Sequence, residues 1–222
     1  MCYDDQARPP QPPGAVGAVQ SAELELTASD GNRFMAFRAV PETSPTAQIL
    51  ILPDVRGLHQ FYKELALRFA EVGIAASAMD YFGRTAGISA RDESFVFMPH
   101  VEQLTLEAVY ADAAATLADL RSHAGEQPPF TLGFCMGGTL SFMAGAETLD
   151  LAGVIGFYSG MTRSFEGRGT LLERAHDIRR PALGLFGGAD QGIPPEKVAA
   201  FDQALDMAGI EHKIISYPGA PH

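Results

Sequence analysis

Phe130-Thr131-Leu132-Gly133-Phe134-Cys135-Met136-Gly137-Gly138 decides how the rest of the chain is read. An apolar run enters Gly-x-Cys-x-Gly-Gly, and small or apolar residues continue from Thr139 to about Glu147. The pattern predicts a strand, one very tight turn and a helix. A residue at the centre of such a turn is held in a strained backbone conformation, so its neighbours must be small. Gly133 and Gly137 fill the two glycine positions of a Gly-x-Ser-x-Gly nucleophile elbow, with Cys135 where serine usually stands. The turn lifts that side chain above the end of a sheet and aims it at a helix N-terminus. Backbone N–H groups and the helix dipole favour a thiolate there. The plain alternative is a buried structural cysteine, since free cysteine is among the most buried residue types. A dinucleotide fingerprint is excluded, because it would need glycine at position 135. What separates the other two readings is whether a base and an orienting acid stand at the right places downstream.

Upstream of the elbow, two short β-like segments at about 22–28 and 33–40 flank Asp30-Gly31, a hairpin signal. Gln48 to Pro53 is a short apolar run suited to a buried strand, and it opens into Asp54-Val55-Arg56-Gly57. Phe61, Leu65, Phe69 and Val72 recur at helical spacing before Gly73. Ile74 to Met79 is a further strand, ending in Asp80-Tyr81-Phe82-Gly83-Arg84, and residues 83–99 form an excursion. Leu106, Val109, Ala113, Leu117 and Leu120 predict one long helix from about His100 to Arg121. Downstream, Leu151 to Tyr158 is a strand, residues 159–180 a loop with room for one helix, and Pro181 to Phe186 a strand before Gly187-Gly188-Ala189-Asp190. A helix opens at Pro194-Pro195 with Val198, Phe201, Leu205 and Ala208 on one face. Lys213 to Tyr217 is the last strand, and His222 ends the sequence.

A hairpin followed by alternating strands and helices predicts an α/β protein with a mostly parallel sheet flanked by helices. Residues 1–20, with Pro9, Pro10, Pro12 and Pro13, read as a flexible leader, and residues 21–222 as a single domain. A chain of 222 residues leaves little room for a second domain. The net charge of −11 argues against nucleic acid or an anionic membrane as partner. Only Cys2 and Cys135 are present, so a disulfide framework or cysteine-rich zinc site is not expected, and a reducing cytoplasm is. No apolar run approaches the roughly 20 residues that span a bilayer, and no signal peptide is visible. A soluble protein is expected; its oligomeric state is left open.

Cys135, Asp190 and His222 each stand just past a strand's carboxyl end, where such sheets bind ligands. Nucleophile, acid and histidine follow in the order of an α/β-hydrolase triad. In those roles His222 takes the thiol proton and Asp190 holds the imidazole in one tautomer. Taken singly, Asp190 is a turn residue and His222 a solvated histidine. The oxyanion donors expected in this architecture are the backbone N–H groups of Met136 and Val55. His59, His100, His123, His176 and His212 have no convincing metal-ligand spacing, so no metal site is expected.

These residues resemble the dienelactone hydrolase (carboxymethylenebutenolidase) family of the α/β-hydrolase superfamily. The likeness spans most of residues 20–222 and rests on Gly133-Phe134-Cys135-Met136-Gly137-Gly138, Gly187-Gly188-Ala189-Asp190 and Tyr217-Pro218-Gly219-Ala220-Pro221-His222. Cysteine in the elbow is the most specific feature. The resemblance implies opening of a small enol-lactone, one bearing a carboxylate, through a cysteinyl acyl-enzyme and without metal or organic cofactor. It gives Asp54 the place of an acidic residue that holds the thiol until substrate arrives, although the family usually has glutamate there. It gives Arg84 the place of an arginine that grips the substrate carboxylate, a task suited to paired donors. Arg56 is a second candidate anion binder that the family pattern does not assign. The family pattern also continues past the histidine into a final helix and a second arginine, which this sequence does not contain. Either the sequence is a piece of a longer chain, or the loop bearing His222 is weakly anchored. A general carboxylesterase or thioesterase on the same scaffold, and a non-catalytic thiol sensor or binding module, are the rival readings.

Overall fold

A computed structural model describes residues 6–14 and 16–222. Cys2 and part of the expected leader lie outside the described residues. The elements in order are β1 (Val19–Thr27), β2 (Arg33–Pro41), β3 (Ala47–Leu52), α1 (Gln60–Glu71), β4 (Ile74–Met79), α2 (Gly83–Ala86), α3 (Met98–Val101), α4 (Leu106–Ala124), β5 (Phe130–Phe134), α5 (Met136–Ala144), β6 (Gly153–Phe157), β7 (Ala182–Gly187), α6 (Pro195–Met207) and β8 (His212–Tyr217). The described residues form one eight-stranded sheet in the order β1-β2-β4-β3-β5-β6-β7-β8. Strand β2 is antiparallel to β1 and β4, and every other pair is parallel. The expected α/β architecture is therefore present, and all of the loops that matter for chemistry leave one edge of the sheet.

The sheet separates two apolar layers. On one side α1 lies over β2–β5, packing Tyr62, Ala66 and Ala70 against Ile49, Ile51, Leu132 and Phe134. The helical spacing of Phe61, Leu65 and Phe69 marks the flank of this helix instead, and Val72 is 43% exposed. Small alanines let the helix axis come close to the sheet, and the larger apolar residues seal its sides. On the other side α4, α5 and α6 cover the sheet through Leu106, Leu117, Phe142, Phe201 and Leu205. Phe142 and Phe201 meet edge to face at 5.0 Å.

One expectation is corrected here. The long helix begins at Leu106, not His100, because Thr105 caps it by accepting a hydrogen bond from Ala108 N–H. His100 belongs to the separate short turn α3. The stretch 159–180 is a loop, as expected, with a β-bridge between Ser164 and Thr170 and a 3₁₀ turn at Ala175–Asp177. The excursion after β4 is tied down from within. Arg91 Nη2 pairs with Asp80 Oδ2 at 2.8 Å, with both side chains 1% exposed, and also donates to Gly87 O. Its guanidinium lies 4.6 Å over the Phe95 ring. Burial pushes the Asp80 carboxyl up, and Arg91 opposes that shift.

The elbow shows why glycine is required on either side of the cysteine. A Cβ on Gly133 would lie 2.0 Å from Gly137 O, and one on Gly137 would lie 2.1 Å from both Leu52 O and Pro53 O. Backbone cannot yield as a flexible side chain can. Replacing Gly137 with alanine is therefore expected to cost about 3 kcal/mol or more, at or beyond the upper end of overpacking penalties. Urea unfolding of the variant beside the native chain measures it.

Candidate active site

The site is assembled from four loops at the carboxyl ends of β3, β5, β7 and β8. Strand β5 delivers Cys135 at φ 54° and ψ −116°, a left-handed conformation that is unusual for any residue except glycine. Such strain costs on the order of 1–3 kcal/mol and persists only where the surroundings enforce it. Here Cys135 N–H donates to Phe157 O at 3.0 Å, which stitches the turn to the end of β6. The partly buried thiol stands at the N-terminus of α5.

Strand β7 delivers Asp190, which is 4% exposed. One carboxylate oxygen accepts from Gly192 N–H at 2.8 Å and Ile193 N–H at 3.1 Å. The other oxygen is 2.7 Å from His222 Nδ1. His222 comes from the loop after β8, and that loop is anchored on the Asp190 turn. Ala189 N–H donates to Ala220 O at 3.0 Å, and a Cβ on Gly187 would lie 2.4 Å from the same oxygen. The remaining imidazole nitrogen, Nε2, is 3.3 Å from Cys135 Sγ. Cys135, His222 and Asp190 thus form one continuous chain of hydrogen bonds. The hydrogen bond to Cys135 is the largest influence raising the imidazole, Asp190 adds to it, and burial opposes both; the result is about 9. The arrangement favours the protonated imidazole. Tyr158, at φ 36°, places its ring 4.8 Å from that of His222 and covers one side of it.

The loop after β3 carries Asp54, Val55 and Arg56. Val55 N–H has no protein acceptor among the described residues. Met136 N–H, as the first amide of α5, has no carbonyl of its own helix behind it. The contact of Gly137 with Leu52 O and Pro53 O brings the loop up against that first helical turn. Two buried tyrosines hold the loop. Asp54 N–H donates to Tyr62 Oη at 3.0 Å, and Tyr81 Oη donates to Pro53 O at 2.7 Å and to Asp54 O. Neither tyrosine carries a sequence motif. Tyr81 does stand immediately beyond the carboxyl end of β4, and that position was the only available hint.

Asp54 is fully buried, and its carboxylate is taken up by Arg56. Arg56 N–H meets Oδ1 at 2.9 Å and Arg56 Nη2 meets Oδ2 at 2.8 Å. The pairing is bidentate and local, so Asp54 orients Arg56 and shapes the loop in this structure. Arg84 is engaged by two acids. Its guanidinium is committed to Asp30 Oδ1 at 3.1 Å and Asp112 Oδ1 at 2.8 Å, joining the hairpin to α4. It lies after β4, which β3 separates from β5. The expected grip on a substrate carboxylate would have to compete with this internal ion pair, which forms because two acids distant in sequence converge on Arg84. The sequence also hid a cluster at the opposite edge of the sheet. Asp202, Asp206 and His212 bring ligand-type atoms within 4.8 Å of one another, whereas no such grouping was expected. Their contact is between α6 and β8, and His212 Nε2 lies 3.1 Å from Asp202 Oδ1.

Among the described residues no helix is long and apolar enough to cross a membrane. The sequence pattern of the dienelactone hydrolase family matches residues 34–222. A protein named "Putative carboxymethylenebutenolidase" from Methylorubrum extorquens is 26% identical over 215 residues, covering 91% of this chain and 71% of that protein. A "Carboxymethylenebutenolidase" of Pseudomonas putida is 27% identical over 185 residues, covering 77% of this chain and 72% of its own. In fold, the chain superposes on the crystal structure of a "Putative Dienelactone Hydrolase" from Klebsiella pneumoniae with a TM-score of 0.83. That comparison, at 24% identity, covers 93% of this chain and 88% of the other. The architecture is the α/β-hydrolase fold.

Two outcomes follow from this geometry. The His222 ring should titrate near pH 9 when followed by NMR, and Cys135→Ala, which removes the largest raising influence, should bring it down toward the ordinary value of 6.5. Arg84→Ala should lower unfolding stability by about 1–3 kcal/mol, because buried Asp112 loses a charged partner while Asn32 still donates to it. The same variant should leave the ratio of activities on charged and neutral esters unchanged.

Proposed function

The chain belongs to the dienelactone hydrolase family, whose members are hydrolases acting on ester bonds, and from that premise we propose that it opens a small lactone or ester with Cys135 as nucleophile. One observation carries the reading. A cysteine in a strained left-handed turn lies 3.3 Å from an imidazole whose other nitrogen is 2.7 Å from a buried, backbone-oriented carboxylate. Each part has an ordinary explanation alone, but a purely structural cysteine has no need of the strain or of the ordered histidine.

In this mechanism the thiolate of Cys135 attacks the acyl carbon, and the carbonyl electrons move onto its oxygen. Val55 N–H and Met136 N–H donate to that oxyanion. Collapse of the tetrahedral species breaks the acyl–oxygen bond, and the His222 imidazolium returns its proton to the leaving oxygen. In a lactone the leaving oxygen remains tethered to the acyl group. The neutral imidazole then takes one proton from water as the water oxygen attacks the thioester carbon. The second tetrahedral species collapses with cleavage of the C–S bond, which restores the thiolate–imidazolium pair and frees the acid, whose remaining proton passes to solvent. Asp190 holds the tautomer with Nδ1–H toward itself. No step requires a metal or organic cofactor.

The commitment of Arg84 to Asp30 and Asp112 favours a second reading of the substrate. Without that arginine a carboxylate is not demanded, and a neutral ester becomes an equally good partner for the same nucleophile. Hydrolysis of cis- and trans-dienelactone beside a neutral aryl ester, with Cys135→Ala as control, separates these readings. Turnover of the lactones that is abolished in Cys135→Ala is the expected result. Turnover of the aryl ester alone would move the substrate to simple esters. Reversible oxidation of Cys135 with no turnover of either would overturn the hydrolytic role in favour of a sensor.

A further inference from the structure

The N–H of Val55 and the carbonyl of Asp54 are two ends of one planar peptide unit and point in opposite directions. Whatever holds the oxygen therefore aims the N–H. Tyr81 Oη donates to Asp54 O, and Gly57 N–H donates to the same oxygen at 3.0 Å. The preceding peptide unit is held at both of its ends. Tyr81 Oη also donates to Pro53 O at 2.7 Å, and Asp54 N–H donates to Tyr62 Oη at 3.0 Å. A hydroxyl has one hydrogen, so Tyr81 shares it between two carbonyls in a three-centre bond.

Both rings are locked. Tyr62 is 0% and Tyr81 1% exposed. Tyr62 packs at 5.5 Å on Phe134, the residue before Cys135, and Tyr81 meets Phe82 edge to face at 4.8 Å. A buried tyrosine needs some partner for its hydroxyl, and one carbonyl would satisfy that need. Here two hydroxyls converge on two consecutive peptide units, and the second unit carries one of the two oxyanion donors. A peptide whose oxygen accepts a hydrogen bond is also more polarised, so its N–H donates more strongly.

We propose that Tyr81, with Tyr62 in support, is a positioning residue of the oxyanion hole: it fixes and polarises the Asp54–Val55 peptide so that Val55 N–H is already aimed when negative charge develops. The proposal rests on the cysteine-hydrolase reading above and adds residues which that reading does not use. Neither tyrosine touches substrate. Their effect passes through the backbone, and it should fall on the step that generates an oxyanion.

Tyr81→Phe and Tyr62→Phe remove the two hydroxyls and keep the rings. Three quantities are measured for each and for the native chain: kcat and KM on 4-nitrophenyl acetate, the rate of Cys135 alkylation by iodoacetamide, and the thermal midpoint. Alkylation consumes the same thiolate but passes through no oxyanion. Tyr81→Phe is expected to lose roughly 10- to 100-fold in kcat/KM, below the effect of deleting a donor outright. The loss should lie mainly in kcat, with alkylation unchanged within about twofold; Tyr62→Phe should shift turnover in the same direction by less. Equal losses in turnover and alkylation would mean a general disturbance of the nucleophile, and unchanged turnover would mean no positioning; either result overturns the proposal. Should Tyr81→Phe fail to fold, the ratio of the two rates in Tyr62→Phe decides alone. Failure of the underlying reading is distinguishable, because it removes Cys135-dependent turnover from the native chain itself and takes the clamp with it. Native turnover with unaltered tyrosine variants removes the clamp alone.

Discussion

Everything at the catalytic edge depends on the close backbone approach at the elbow. Cys135 can hold φ 54° only because the chain on either side is pinned by contacts that admit no side chain. Gly133 lies under Gly137, and Gly137 lies against the carbonyls of Leu52 and Pro53. One set of contacts therefore does two jobs: it presents the thiol, and it sets the distance between helix α5 and the loop bearing Val55. A larger residue at either glycine would move the thiol and an oxyanion donor together. The strain of a single residue is affordable because it is spread over a sheet buried on both faces.

Charge is arranged around this edge with a clear division of labour. Asp190 is oriented by two backbone N–H groups and turns its other oxygen to His222, so its charge is directed at the imidazole. The other acids near the carboxyl edge are neutralised locally. Asp54 is held by Arg56, Asp80 by Arg91, and Asp112 by Arg84. Each of these carboxylates is 0–1% exposed, and an unpaired charge at that depth would cost several kcal/mol. In a chain with a net charge of −11, His222 is therefore shielded from carboxylates other than Asp190. The pairs also organise the chain. Arg91 fastens the excursion after β4 to the sheet, and Arg84 fastens the opening hairpin to α4.

Much of this was legible in the residues, and the reasons differ by element. Strands β3 to β7 announced themselves as short apolar runs, because both faces of the central parallel sheet are covered. Edge strand β8 was legible only from Ile214 and Ile215 ahead of the Pro218-Gly219 turn. Cys135, Asp190 and His222 were legible because their places are defined by local grammar: each follows a strand and a tight turn. The start of α4 was misplaced by six residues because Met98–Val101 continues the helical pattern while Thr105 supplies the actual cap. Arg84 was singled out only by resemblance, and the partners it takes in the fold were not legible. Asp30 is 54 residues before it and Asp112 is 28 after it, so no window of sequence contains the pair. Tyr81 lies 27 residues from Asp54, so the same limit hid that contact. Tyr62 with Asp54 and His212 with Asp202 are only 8 and 10 residues apart, and were hidden because each pair joins different elements.

The sequence by itself determined the α/β class, the elbow and the order in which Cys135, Asp190 and His222 follow their strands. These depend on short-range physics: hydrophobic period, the conformational demands of glycine and proline, and the turn that must follow a buried strand. The tertiary structure alone decided which donors face which acceptors. A hydrogen bond or ion pair needs contact within about 3 Å, and residues 27 apart, such as Tyr81 and Asp54, reach that distance only once the sheet has set β4 beside β3.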